Sequence, residues 1–189
     1  GTHPQRWRFH SRTECMQCHN LWPETPLAFT PEQLHQPHRG SESNWLRLVG
    51  AGFVTTRQSD QQSIAPEACV GEVLEYYSQD SARSARSYLH VNCAHCHQNG
   101  AGSGVPLSLR IQDQDSQMLA IDQRPTKGDF GIRDGRIIAE GSPSQSALVY
   151  RMASSSAGHM AHIGAREVDF AALALISQWI AQMREGSHV

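Results

Sequence analysis

The sequence predicts a mostly α-helical fold with long connecting loops. Apolar residues recur at intervals of three and four in several stretches, most clearly over 169–183. No stretch has the convincing period-two alternation of a half-buried strand. The pattern Cys-x-x-Cys-His also occurs twice, as Cys15-Met16-Gln17-Cys18-His19 and as Cys93-Ala94-His95-Cys96-His97. That pattern is the attachment signature of a c-type haem. Two covalently attached haems are therefore expected to supply buried surface that the modest apolar content does not, with the loops wrapping them.

Taken in order, residues 1–12, with Pro4, Trp7 and Phe9, are expected to form an extended arm. Ser11 or Thr13 can cap a short helix carrying Cys15 to His19. Pro23 and Pro26 break the chain. Thr30-Pro31-Glu32-Gln33 then has a cap, a proline at the first helical position and a capping-box glutamine, which predicts a helix over 32–38. Ser41 opens another, with Trp45, Leu46, Leu48 and Val49 apolar and Gly50 as its stop. Residues 55–66 are rich in Gln, Ser, Thr and Asp without periodicity, so a boundary is expected between them and Asp80. The chain accordingly divides into a first haem-binding segment, 1–78, and a second haem-binding unit, 79–189.

In the second unit, Asp80 or Ser81 caps a helix running to about Gln98, with Ala82, Ala85, Leu89, Cys93 and Cys96 along one side. Gln98 to Gly104 reads as a flexible turn around a haem edge. A short helix is expected over 113–120 and irregular backbone over 122–141, where Gly128, Gly131, Gly135 and Gly141 fall. Ser142-Pro143 starts a helix through Met152 with Ala147, Leu148 and Met152 on one side. The last helix, 169–183, has the stripe Phe170, Leu173, Ile176, Trp179, Ile180 and Met183.

The spacing within the motif has a chemical reason. Two thiols three positions apart lie on one face of a helical turn, and each can form a thioether to a haem vinyl group. The following histidine, His19 or His97, then offers its imidazole to the iron. His95, between the thiols, is expected to point away. A single Cys-x-x-Cys also occurs in zinc knuckles and redox dithiols. Here each pair is followed at once by histidine, and the pairs lie far apart in the chain, whereas zinc ribbons bring theirs within about twenty residues. The fifth cysteine, Cys69, is left over. It reads as a small hydrophobe, an interchain disulfide partner or a thiolate ligand to iron.

A net charge of -2 argues against nucleic acid and against an anionic membrane surface. No apolar run is long enough to span a bilayer. The chain starts at Gly1 without a visible leader and is expected to be a processed or excised piece. Haem attachment to reduced thiols happens outside the bacterial cytoplasm, so a periplasmic or otherwise exported location is expected.

From residue 80 to 183 the order of motifs resembles a class I cytochrome c. More closely, the chain resembles a dihaem cytochrome c domain of large exported bacterial proteins, some of which carry sugar-dehydrogenase-like propeller domains. The stretches that carry the resemblance are Trp7 to His19, Tyr88 to His97, Pro125 to Gly131, Arg136 to Pro143, Tyr150-Arg151-Met152, and Met160 to Gly164 followed by Val168-Asp169. Related sequences often have proline where this chain has His10 and Ala161.

The resemblance implies an attachment helix, haem-wrapping loops, a methionine ligand and a C-terminal helix crossing the first. It places Met160 as the sixth ligand of the second iron. It also puts Met152 first among candidates for the first iron, ahead of His35, His38, His90, His162, Cys69 or an open position; Met152 is equally a packing residue on an amphipathic helix. Arg12 and Arg151 are candidates for haem propionates, or surface cations; Trp45 and Trp179 read as core.

The implied activity is single-electron transfer between redox partner proteins or from a fused dehydrogenase domain, by a carrier rather than an enzyme. Two other readings are a dihaem peroxidase or sulfur-oxidising enzyme with one open or Cys69-ligated haem, and a zinc-stabilised interaction module.

Overall fold

The computed structural model describes residues 8–19, 34, 44–53, 81–156, 158–164 and 167–183. The expected helix over 32–38, apart from Leu34, the 55–66 linker with its boundary, and Cys69 all lie outside the described residues. Leu34 is helical and buried. The described residues are mostly helical and contain no strand. No helix among them is long and apolar enough to cross a membrane.

Helix α1, Arg12–Cys18, begins at Ser11 rather than Thr13. The Ser11 hydroxyl accepts from the Glu14 amide at 3.3 Å, and the Glu14 carboxylate accepts from the Ser11 amide at 2.8 Å, a reciprocal capping box. Arg8 pairs with the same carboxylate at 2.6 Å. These hydrogen bonds with Ser11, and then the charge of Arg8, hold the Glu14 carboxyl below its ordinary range.

Helix α2, Asn44–Gly50, has Gly50 as its last residue, where the stop was expected, but Gly50 is not the left-handed residue of the ending. That residue is Gly52, whose positive φ of 73° and amide bond to the Val49 carbonyl accompany a Phe53 amide bond to Leu48, a Schellman ending. Gly50 keeps helical geometry, and the glycine that the left-handed turn requires stands two positions later.

The core is built on helix α3, Ser81–Cys93, and helix α6, Phe170–Gln182, which pack together. Ala85 and Leu89 from α3 join Ala172, Ile176, Trp179 and Ile180 from α6 in one buried cluster. The Ser81 hydroxyl donates to the Gln182 side-chain carbonyl, so the start of α3 meets the end of α6. Asp169 caps α6 by accepting from the Ala172 amide at 2.9 Å.

One member of the expected stripe is misplaced: Phe170 is 76% exposed. At 3.6 residues per turn it lies roughly 120° around the helix from Ile176, so the buried face begins at Ala172 instead.

Between these helices the chain is held by local bonds. The short helix α4, Asp115–Met118, is tied to α3 through Arg86, which pairs with Asp115 at 2.6 Å and donates to the carbonyls of Arg110 and Asp113. Residues 120–147 are irregular but ordered by bonding: isolated parallel bridges join Ile121 to Ile138 and Arg136 to Ser146. Ser146 is fully buried and satisfied, its hydroxyl accepting from the Ala139 amide and donating to the Ser142 carbonyl. The single helix expected from Ser142 to Met152 is two pieces, a 3₁₀ turn over Pro143–Gln145 and helix α5, Ala147–Ala153, separated by that serine. Helix α5 also packs on α6.

Candidate functional site

The second Cys-x-x-Cys-His motif begins on the last residue of α3. The α-helix ends at Cys93 rather than near Gln98 because the ladder shifts there. The Ala94 amide reaches back five residues to the Leu89 carbonyl at 3.1 Å, and the Cys93 carbonyl accepts from both Cys96 and His97. The two cysteines therefore sit on a tight turn that continues the helix end. The His97 carbonyl accepts from the Leu109 amide at 2.9 Å, which anchors the turn to the following loop. Leu89 and Ala94, on either side of the junction, are buried.

This turn forms one wall of a cavity of about 770 Å³. The size falls within the range of roughly 300–1,000 Å³ usual for small-molecule and cofactor sites. Cys93, Cys96 and His97 all line it, together with Tyr88 and Val91 of α3, Leu107 and Leu109 of the next loop, and Ile137 and Leu148. His95, expected to point away, also borders the cavity.

From far along the chain come Arg151 and Met152 of α5 and the segment carrying Met160. The cavity thus brings together Cys93, Cys96, His97, Met152 and Met160, all singled out from sequence, with Arg151 and His162 also on its border. Met152 is 8% exposed and belongs to the buried cluster.

The Met160 segment is pinned on α5. The Met160 amide donates to the Arg151 carbonyl at 3.0 Å, and the Arg151 Nε donates to the Gly158 carbonyl at 2.9 Å. The Arg151 guanidinium lies 5.3 Å from the centre of the Phe130 ring, which stacks on Tyr150 at 5.2 Å. Gly158 permits this closure. Its φ is 97°, and a Cβ there would come within 3.1 Å of the Phe130 ring. The Met160–Ala161 peptide is cis.

The electrostatics of the wall suit a buried, electroneutral ligand set. Burial first, then the charges of Arg151, His95 and His162, push His97 down to about 4, so its imidazole is neutral at neutral pH and keeps a lone pair for a metal. Its Nδ1 is buried without a hydrogen-bond partner among the described residues. Burial pushes the Cys93 thiol up to about 12. Redox dithiols have the opposite perturbation, a thiol pKa lowered beside cations or a helix N-terminus. No group of three or more His, Cys, Asp or Glu side chains suited to a metal ion occurs among the described residues.

Apolar walls, two adjacent thiols, a neutral imidazole and a thioether fit a covalently held haem better than a zinc ion. Arg151 is half-buried at the cavity, and burial lowers its pKa.

The first motif is only partly described. Cys15 and His19 are exposed on and just after α1, whose capping box fixes the helix that presents them. Arg12 is exposed on the same helix. Of the candidates for its sixth ligand, His35, His38 and Cys69 fall outside the described residues. His90 lies half-buried on α3, and His162 is exposed while bordering the cavity of the second motif.

One residue at the cavity was not singled out from sequence. His159 borders it, with Nδ1 on the Ser154 carbonyl and a buried Nε2. Its position next to Met160 was the available signal. No family model, curated protein or solved structure matches the chain.

Proposed function

We propose that this chain is a dihaem c-type cytochrome that carries single electrons between redox partner proteins, or from a dehydrogenase domain fused to it. The observation that carries the reading is the convergence of Cys93, Cys96, His97 and Met160 on one apolar cavity of about 770 Å³. When bound, a c-type haem supplies an Fe(II)/Fe(III) couple.

Cys93 and Cys96 would hold the group by thioethers, and His97 and Met160 would bind its iron. A thioether ligand favours the reduced state and raises the potential relative to two histidines. The chain's part is to fix these groups and exclude water. The α3 end sets the thiols and His97, and the bonds from Arg151 and Gly158 set Met160. Arg151 also brings a cation to the cavity edge, where a guanidinium can pair with a propionate carboxylate. Met152, buried in the cluster beside this cavity, is assigned to its wall rather than to the first haem. Cys15, Cys18 and His19 would hold the first haem in the same manner. Haem attachment to reduced thiols happens outside the bacterial cytoplasm, which supports a periplasmic or otherwise exported location.

A carrier needs both irons six-coordinate, since a filled coordination sphere blocks peroxide and small gases. The oxidised protein is expected to be low-spin at both haems, with the weak far-red band of thioether–Fe(III) ligation, and the reduced protein to bind carbon monoxide only slowly. Met160→Ala is expected to remove that band completely. High-spin iron with fast carbon monoxide binding and peroxide turnover in the unaltered protein would assign it to the peroxidases instead.

A further inference from the structure

We propose that Phe130 is a positioning residue for the Met160 thioether: its ring ties the turn that carries Met160 to α5. The inference rests on the haem reading above. Phe130 stands at φ 56°, in the left-handed region. That region is disfavoured for residues with a Cβ, and a bulky side chain there is a true outlier. The turn itself is held by Asp129. Its carboxylate accepts from the Gly131 amide at 3.0 Å and its carbonyl from the Ile132 amide at 2.9 Å. A glycine at 130 would serve that turn without the strain. A strained residue persists where its surroundings over-determine it, and here the contacts of the ring do so.

The ring meets the brace at three points. It stacks on Tyr150 of α5, with centroids 5.2 Å apart and planes inclined by 27°. The Arg151 guanidinium lies 5.3 Å from its centre. Its Cε1 packs against the backbone of Gly158, where a Cβ would come within 3.1 Å. Arg151 and Gly158 are the two ends of the tie on Met160. The Arg151 Nε donates to the Gly158 carbonyl, and the Arg151 carbonyl accepts from the Met160 amide. Phe130 itself borders the cavity.

A free arginine side chain samples many rotamers, and ordering it costs entropy. The ring holds the guanidinium where its Nε meets Gly158. Without the ring, Arg151 turns to water, the Gly158 carbonyl loses its donor and the Met160 turn can leave α5. The thioether then binds only from the fraction of molecules with the turn in place, so its apparent affinity falls by that fraction.

The test titrates the oxidised, haem-loaded chain with imidazole, which competes with the thioether for the sixth position. The far-red thioether band is followed, and intact mass confirms haem loading in each variant. Phe130→Gly relieves the backbone and deletes the ring. Phe130→Leu keeps apolar bulk without a π face. Met118→Ala opens a hole in the buried cluster at a residue that does not border the cavity.

Phe130→Gly is expected to lower the imidazole midpoint by about tenfold, the order of effect of losing a partly buried cation–ring contact. Phe130→Leu is expected to shift it in the same direction. Met118→Ala is expected to lower the unfolding temperature and leave the midpoint where it was. An unchanged midpoint in Phe130→Gly overturns the inference, as does an equal shift in Met118→Ala. If Phe130→Gly does not fold, Phe130→Leu decides, and its unchanged midpoint overturns the inference by itself. Loss of the fold in both also overturns it, because the ring would then support the domain rather than the ligand. Those results, at a two-haem mass, leave the haem reading standing. An unaltered two-haem protein without the band overturns the inference together with the Met160 assignment, and a bare-chain mass removes the haem reading as well.

Discussion

Replacing Cys93 and Cys96 together by alanine is expected to lower the intact mass by one haem group and to cost the 81–183 region its cooperative fold. The two thiols are the covalent tethers proposed for the second haem, and they sit on the turn that ends α3. Without the group, the walls form an open cleft of about 770 Å³ lined largely by apolar side chains. Apolar surface left facing water forfeits about 25 cal/mol per Å², so about 200 Å² of such wall left wet would cost about 5 kcal/mol. Whole domains are stable by only about 5–15 kcal/mol. Thermal unfolding followed by far-ultraviolet circular dichroism should therefore lose its sharp transition, or shift far down in temperature. A double variant that retains two haems would show that these thiols are not the tethers.

Ile176→Ala is expected to destabilise the haem-loaded protein by about 2–5 kcal/mol, the usual range for emptying a packed aliphatic site. Ile176 is fully buried on α6 in the cluster that also contains Leu89 of α3. Both helices bury these faces on each other, and Leu89 is the residue whose carbonyl receives the Ala94 amide at the start of the motif turn. Loss of Ile176 should therefore loosen the support of the motif turn as well as the helix pair. Phe170→Ala on the same helix is the contrast: its side chain is 76% exposed, and the change should stay within about 0.5 kcal/mol. Denaturant midpoints of the two variants check both statements. Equal effects would mean that the α6 face is assigned wrongly.

Much of this arrangement was legible from residues alone where the signal is local. The last helix starts where it was expected, at Asp169, and Ser11 is one of the two caps expected for α1, while the Glu14 half of that box went unread. The motif spacing named Cys93, Cys96 and His97 without any structure. Features that depend on bonds between distant residues were not legible. The end of α3 is set by a five-residue backbone bond at Ala94, and the 3₁₀ break before α5 by the buried hydroxyl of Ser146, neither of which has a composition signal. Gly52 rather than Gly50 takes the left-handed position of the α2 ending, since nearby glycines compete and only the bonding of Phe53 to Leu48 distinguishes them. Phe170 shows the limit of counting apolar residues by eye near a helix end. The cavity itself is a product of tertiary packing. Met160 was named through a resemblance, while the bonds that pin its segment on α5 appear only in the fold.

The most direct measurement of the central claim is the intact mass of the denatured, purified chain from cells that mature c-type cytochromes. The expected value is the polypeptide mass of 20.9 kDa plus two haem groups that survive denaturation, because each would be held by two thioethers. A mass equal to the bare polypeptide would contradict the account, and a mass with one haem group would contradict it for one of the two motifs.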